Sequence, residues 1–323
     1  YINTLEVKEA GKTWEEADGD VTEAIDFCRY YAREMRRLTK PQRVGHAPGE
    51  ISHYHYQARG VSVVIAPWNF PLAILCGMVA ASVVTGNTVV MKPAEQTPVI
   101  GAYLMKAFRE AGCPDGVVNL LQGYGEEIGE YLTGHKLAHM ICFTGSKSVG
   151  LHILEKAGRT LPGQKSVKRV ICEMGGKNAI IIDSDADLDE AVSGVIYSAF
   201  GFQGQKCSAA SRAIVLEEIY DRFVDRLIET TRSIDIGPAE NAETYVGPVI
   251  DLEAKTRILS MIEMGKSEAT LAYQAPVPEI GYFVGPTIFT NVTSKMRIAQ
   301  EEVFGPVPAV WAETDLIKNM GEE

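Results

Sequence analysis

One thiol sits among small and polar residues in Phe202-Gln203-Gly204-Gln205-Lys206-Cys207-Ser208-Ala209-Ala210-Ser211-Arg212. An apolar, helix-like run precedes this stretch, and residues 213–216 read as a strand. A thiol in a Gly-Gln turn can present its sulfur to a ligand as a nucleophile. The plainer alternative is a cysteine that packs as a small hydrophobe.

Five other stretches bear on the choice. Cys172-Glu173-Met174-Gly175-Gly176-Lys177 sets a carboxylate just past an apolar strand, beside two glycines that let backbone approach a ligand. A half-buried glutamate there has a raised pKa and suits general-base work; otherwise the stretch is a turn that supports the fold. Ala66-Pro67-Trp68-Asn69-Phe70-Pro71 is a stiff strand-to-helix connection. Asn69 either aims its amide at a developing oxyanion or caps the following helix as an Asx-turn. Phe143-Thr144-Gly145-Ser146-Lys147-Ser148-Val149-Gly150 leads from a strand into a helix. It is a phosphate cradle or a plain turn, and it matches neither the dinucleotide fingerprint nor a Walker A loop. Val90-Met91-Lys92-Pro93-Ala94-Glu95 ends another strand. Lys92 and Glu95 fit ribose or phosphate contacts, and the carboxylate favours NAD over NADP; the alternative is a solvated surface pair. Gln300-Glu301-Glu302-Val303-Phe304-Gly305-Pro306 adds an acid–aromatic pair near a turn, which alone means little.

The elements that must position these residues follow from periodicity. Short apolar runs at 61–66, 88–91, 117–121, 140–143 and 170–172 read as strands. Helical patterns fall at 72–85, 98–111, 126–132 and after Gly150. Thr97 is the expected N-cap of the 98–111 helix and Gly112 its stop. The 72–85 run is apolar nearly all round and too short to span a membrane, so it reads as a buried helix. Before this block, residues 20–38 carry an apolar stripe, with Asp20-x-x-Glu23 as a capping box and Arg36-Arg37 at the C-terminal end. Residues 44–60 read as an exposed hairpin-like flap of the kind that pairs with another chain. A second alternating block has strands at 178–183 and 211–216 and helices at 188–200, 220–234 and 253–264. A polar, proline-bearing stretch follows at 273–285. The pattern is α/β, a doubly wound parallel sheet with a second α/β domain, and ligands gather at the C-terminal strand ends.

The chain has 323 residues, beyond the roughly 250–300 at which a single core stops growing, so two domains are expected. The net charge of −11 argues against nucleic acid or an anionic membrane as partner. Six scattered cysteines without a C-x-x-C pair suggest a reducing compartment such as the cytoplasm. His53-x-His55 lacks a third ligand, so no metal is expected. A cysteine acyl-transferase without redox chemistry needs a histidine base, and His135, His139 and His152 lie in no motif that resembles one.

Taken together and in order, the stretches around Asn69, Lys92, Gly145, Glu173, Cys207 and Glu302 resemble the aldehyde dehydrogenase superfamily. Within it, residues 201–212 and 170–183 look like the 1-pyrroline-5-carboxylate dehydrogenase group. The resemblance implies NAD-dependent oxidation of L-glutamate γ-semialdehyde, the second step of proline breakdown, with another aldehyde or semialdehyde as the alternative. By position it makes Cys207 the nucleophile, Asn69 the oxyanion donor and Glu173 the activator of water. For NAD it implicates Ile65, Trp68, Lys92, Glu95, Gly125, Gly129, Gly145, Ser146, Glu302 and Phe304. Phe70 and Ser208 would line the aldehyde pocket. It also implies a homo-oligomer, fused in some bacteria to a proline dehydrogenase domain.

The implied division is an NAD-binding domain over 1–43 and 61–172, an oligomerisation hairpin over 44–60 and a catalytic domain over 173–323. Tyr1 is not a methionine, and residues 319–323 end within a helix-like pattern. Both ends are therefore expected to be truncated. The family's substrate-carboxylate loop and oligomerisation strand are expected beyond Glu323, which leaves the catalytic domain incomplete.

Overall fold

The computed structural model describes residues 1–314. Its chain divides into two compact units, one of residues 1–10 and 17–174, the other of 11–16 and 175 onward.

The first unit contains α1 (Ile2–Ala10), most of α2 (Trp14–Leu38), β1 (Gln42–Arg43), β2 (His53–Tyr54), β3 (Val61–Ile65), α3 (Ala73–Val84), β4 (Thr88–Lys92), α4 (Pro98–Glu110), β5 (Val118–Leu120), a π-helical turn at Gly125–Gly129, α5 (Glu130–Gly134), β6 (Met140–Thr144), α6 (Lys147–Ala157) and β7 (Arg169–Glu173). Its main sheet is parallel throughout, in the order β5-β4-β3-β6-β7. Strand pleating sends adjacent side chains to opposite faces. Val64 accordingly packs with Leu75, Val79, Ile100 and Leu104 of α3 and α4, while Val63 packs with Ile141, Phe143 and Ile153 on the α6 side. Helices on both faces make the sheet doubly wound. Winding reverses between β3 and β6, and ligands collect at the C-terminal ends of strands at such a switch point.

Two helix starts are tied down from elsewhere in the chain. α2 begins at Trp14, so Asp20 lies inside the helix and is buried; its Oδ1 accepts a hydrogen bond from Ala73 N at the start of α3 (2.7 Å). Thr97 stands at the N-cap position of α4 and Pro98 at its first residue, as expected, but the Thr97 side chain makes no cap hydrogen bond. The Glu9 carboxylate accepts from Val99 N and Ile100 N instead (2.8 and 2.9 Å), placing negative charge at the positive helix end. Gly112 ends α4 as expected, at φ +84°, with Cys113 N donating to Phe108 O. The flap is a two-residue antiparallel pairing, Gln42 with Tyr54 and Arg43 with His53, in an exposed stretch from 41 to 59.

The second unit contains β8 (Asn178–Ile182), α7 (Leu188–Phe200), a 3-10 turn at Gly201–Gly204, β9 (Ala210–Leu216), α8 (Glu217–Arg232), α9 (Leu252–Glu268), β10 (Thr270–Gln274), β11 (Thr287–Thr290), α10 (Arg297–Gln300) and β12 (Ala309–Glu313). Its sheet order is β10-β11-β12-β9-β8, parallel except for the β10–β11 pair. Buried residues on α8 recur every fourth position (Ile219, Phe223, Leu227, Thr231), which keeps one stripe on the core. Val310 joins that α7–α8 core, whereas Ala309 and Trp311 join Ile258, Ile262 and Phe289 on the other face. Periodicity missed α1, α10, β10, β11 and β12. These elements are short, and β10 merges in sequence with the proline-bearing stretch behind it. No helix among the described residues is long and apolar enough to cross a membrane. The helix-like pattern at 319–323 lies outside the described residues.

Candidate functional site

In the first unit, four strands deliver their following residues to one sheet edge. β3 leads into Trp68-Asn69-Phe70, β4 into Lys92 and Glu95, β6 into Gly145 and Ser146, and β7 ends on Glu173. Ile65 pairs with Lys92 on one side and Phe143 on the other, which ties these ends in register. Gly145 N donates to Glu173 O (3.1 Å), joining the β6 turn to the end of β7.

Each position has a local cause. Lys92 is 2% exposed; its Nζ donates to Glu95 Oε2 (3.1 Å) and Pro93 O (3.2 Å). This is a buried lysine with an exposed carboxylate partner, not a solvated surface pair. Ser146 caps α6, its Oγ accepting from Val149 N. Gly145 has no room for a side chain, because a Cβ would stand 2.6 Å from the Phe143 ring. Asn69 is buried. The carboxylate that bonds the N-terminus of α3 is that of Asp20. Gly125 and Gly129 bound the π-helical turn that follows β5. Glu173 is exposed, where half-burial was expected. β7 is the edge strand, and its side chains alternate between exposed and partly exposed.

In the second unit the chemistry-bearing loops lie at the other end of the sheet. β8, β9 and β12 are parallel neighbours, and the loops entering them carry Gly175-Gly176-Lys177, Gly204 to Ser208, and Glu302 to Gly305. Side chain and backbone knit the three loops together. Gly176 N donates to Glu302 Oε1 (3.3 Å) and Lys177 Nζ to Ile298 O (3.0 Å). A Cβ on Gly175 would fall on the Glu302 carboxylate, and one on Gly204 would meet the Gly305 carbonyl. Both glycines are therefore needed for close approach.

Cys207 itself is exposed, as is Ser208. The turn before it is strained. Phe202 and Gln203 have φ of 47° and 56°, left-handed values that bulky residues rarely adopt, and Gly204 follows at φ +64°. Burial holds the strain, since Phe202, Gln203 and Gln205 are all 0% exposed. Lys12 Nζ lies 4.7 Å from the Phe202 ring centroid. Gln205 Oε1 accepts from Ile250 N (3.1 Å), and Lys206 pairs with Glu16. Asn178 Nδ2 donates to the carbonyls of Cys207 (2.7 Å) and Ala209 (3.1 Å), fixing the backbone on either side of Ser208. Phe304, at φ 51°, is strained as well. The arrangement holds a thiol still while leaving it open to solvent.

Sequence reasoning missed Asn178, Gln205 and Lys177. The visible signal for Asn178 was one amide at the head of an otherwise apolar strand. Burial and the Arg212 charge lower the Lys177 pKa to about 8, against the opposing pull of Glu302. The three histidines weighed for a non-redox mechanism serve local structure. His139 Nδ1 accepts from Val61 N, His135 Nδ1 accepts from Leu137 N, and His152 pairs with Glu130.

The aldehyde dehydrogenase family pattern matches residues 1–317. The chain is 48% identical over 305 residues to a 1-pyrroline-5-carboxylate dehydrogenase of Bacillus subtilis, covering 94% of this chain and 59% of that protein. It is 50% identical to a second B. subtilis enzyme of that name, covering 95% and 60%. The chain thus spans about 60% of the length of these curated relatives. Among solved structures it is similar to proline utilization A from Bdellovibrio bacteriovorus (TM-score 0.96, 62% identity, 98% of this chain and 33% of that one). It is equally similar in fold to a Thermus 1-pyrroline-5-carboxylate dehydrogenase with bound NAD (TM-score 0.96, 48% identity, 98% and 62%).

Proposed function

This chain belongs to the aldehyde dehydrogenase family, and we propose that the full-length protein oxidises L-glutamate γ-semialdehyde to glutamate with NAD. The observation that carries the reaction type is the exposed Cys207 thiol at the end of a buried, left-handed turn. The named relatives support the substrate.

The residues at the first sheet edge fit the cofactor. α6 offers free N–H groups behind a serine cap, Gly145 excludes a side chain from the turn, and Lys92 is buried beside Glu95. In this reading Lys92 and Glu95 hold the adenosine ribose. Gly145 and Ser146 hold the pyrophosphate, Gly125 and Gly129 border the adenine side, Ile65 and Trp68 contribute to the cofactor site from the end of β3, and Glu302 and Phe304 take the nicotinamide ribose. NAD, when bound, supplies the hydride acceptor.

Cys207 acts as thiolate. Its sulfur adds to the aldehyde carbon, the carbonyl π pair moves to oxygen, and a thiohemiacetal forms. Asn69 and the Cys207 N–H donate hydrogen bonds to that oxyanion. After oxidation to the thioester, Glu173 takes a proton from water, which attacks the acyl carbon and releases the thiolate. Phe70 and Ser208 line the aldehyde's path. We also propose that the exposed β1–β2 flap pairs with a second copy, and that the protein works in a reducing compartment where six thiols persist. Fusion to a proline dehydrogenase domain is consistent with the proline utilization A relative.

A substrate panel on the full-length protein tests the reading. NADH should form fastest from glutamate γ-semialdehyde, and an analogue lacking the α-carboxylate should lose at least about tenfold in kcat/KM. Equal rates with both would remove the substrate assignment and leave the aldehyde chemistry standing.

A further inference from the structure

Two cysteines outside this chemistry face each other. Cys28 lies on α2 and Cys76 in the first turn of α3, and their sulfurs are 3.5 Å apart. The contact is built into the helix packing. A Cβ on Gly77 would stand 2.9 Å from the Phe27 ring, so α2 and α3 approach closely beside the two thiols. Asp20 on α2 binds Ala73 N at the head of α3, and Cys76 Sγ donates to Ala24 O (3.7 Å). Cys28 is exposed and Cys76 buried, so an oxidant in solvent has access to one member of the pair.

We propose that Cys28 and Cys76 form a reversible disulfide when the protein meets a peroxide, clasping α2 to the first turn of α3. The two thiols differ in the way such a reaction needs. The Cys76 contact lowers the Cys28 pKa to about 7, against a weaker opposing effect of burial. The same contact and burial push Cys76 upward. Cys28 is thus the thiolate and attacking sulfur. It attacks one peroxide oxygen, the O–O bond breaks, and hydroxide leaves as Cys28 becomes a sulfenic acid. The Cys76 sulfur then attacks the Cys28 sulfur, the S–O bond breaks, and the proton of Cys76 leaves with the hydroxyl as water. The hydroxide takes up the proton that Cys28 lost on ionising, so the peroxide gains two electrons, two thiols become one disulfide, and two waters form. A side-chain rotation or small helix shift covers the gap to the ~2.0 Å of a disulfide bond. α3 follows directly on the turn that carries Asn69, so the clasp fixes the helix into which that turn leads.

The test treats the native full-length protein with hydrogen peroxide, quenches in acid with a thiol-blocking alkylating agent, and maps its peptides by mass. The expected result is a Cys28–Cys76 linked peptide that dithiothreitol reverses, with a higher melting temperature for the oxidised protein. In Cys28→Ser, an exposed position, the link is lost, Cys76 stays reduced and the melting shift vanishes. A Cys207→Ser background removes the competing exposed thiol. Overoxidation of Cys28 with Cys76 still reduced, links scattered among other cysteines, or a link without a melting shift would each overturn the proposal.

Discussion

Gly175 shows how closely single residues are constrained here. It has no side chain because the Glu302 carboxylate occupies the place a Cβ would take. Gly175→Ala should displace that carboxylate and break its hydrogen bond from Gly176 N. A charge-assisted hydrogen bond is worth about 1.5–3 kcal/mol. If Glu302 takes the nicotinamide ribose as proposed, KM for NAD should therefore rise about tenfold or more. Steady-state kinetics at saturating aldehyde checks this; an unchanged KM would separate Glu302 from the cofactor. Much at this scale was legible beforehand. A cysteine three positions after a glycine, a carboxylate before two glycines, and an asparagine between two prolines are visible as types and spacings. Environment was not. Glu173 was expected to be half-buried, yet β7 is an edge strand and leaves it exposed. Lys92 was open to being a surface residue, and β3 and β4 bury it. Burial depends on which strands become neighbours, and that order is not local information.

The loops before β8, β9 and β12 meet because three parallel strands begin side by side, and Gly204 lies against the Gly305 carbonyl. Gly204→Ala adds a Cβ at φ +64° against backbone that cannot move aside cheaply, so it should destabilise the protein by about 1–3 kcal/mol. Urea unfolding measures it, and a change within error would mean that the two loops separate freely. Lys177 gives a pH signature. Its folded pKa, lowered to about 8, lies below the ordinary lysine value of 10.5. Below about 8 both folded and unfolded chains hold the proton, and the cost of burying the charge is felt in full. Between these values the unfolded chain binds more protons, so the Lys177 contribution to stability improves as pH rises. Unfolding free energies at pH 7.5 and 9.5 should show this gain in wild type and a smaller gain in Lys177→Met. Parallel pH profiles would contradict it. Helix periodicity located α7 at residues 188–200 without error, because one apolar stripe is a local signal. The carboxylate bonds at the helix starts were not legible, for the opposite reason. Asp20 and Glu9 act on helices far along the chain, and a local Asp-x-x-Glu or Thr-Pro pattern cannot reveal that.

At the scale of the molecule, each unit buries its own cores on both faces of its own sheet. The first unit carries the proposed cofactor turns, Asn69 and Glu173; the second carries Cys207, Ser208, Glu302 and Phe304. The α/β class and the winding of the first sheet followed from alternating strands and helices. The mixed second sheet did not, because its antiparallel β10–β11 pair links short strands through an irregular, proline-bearing stretch. The proposed function turns on covalent chemistry at Cys207 in the full-length protein. Rapid acid quench during turnover with NAD and glutamate γ-semialdehyde, followed by peptide mass mapping, tests it directly. Wild type should show an acyl adduct on the Cys207 peptide, and Cys207→Ala should lose about 1,000-fold or more in turnover. Normal NADH release with no adduct at Cys207, or retained turnover in Cys207→Ala, would contradict it.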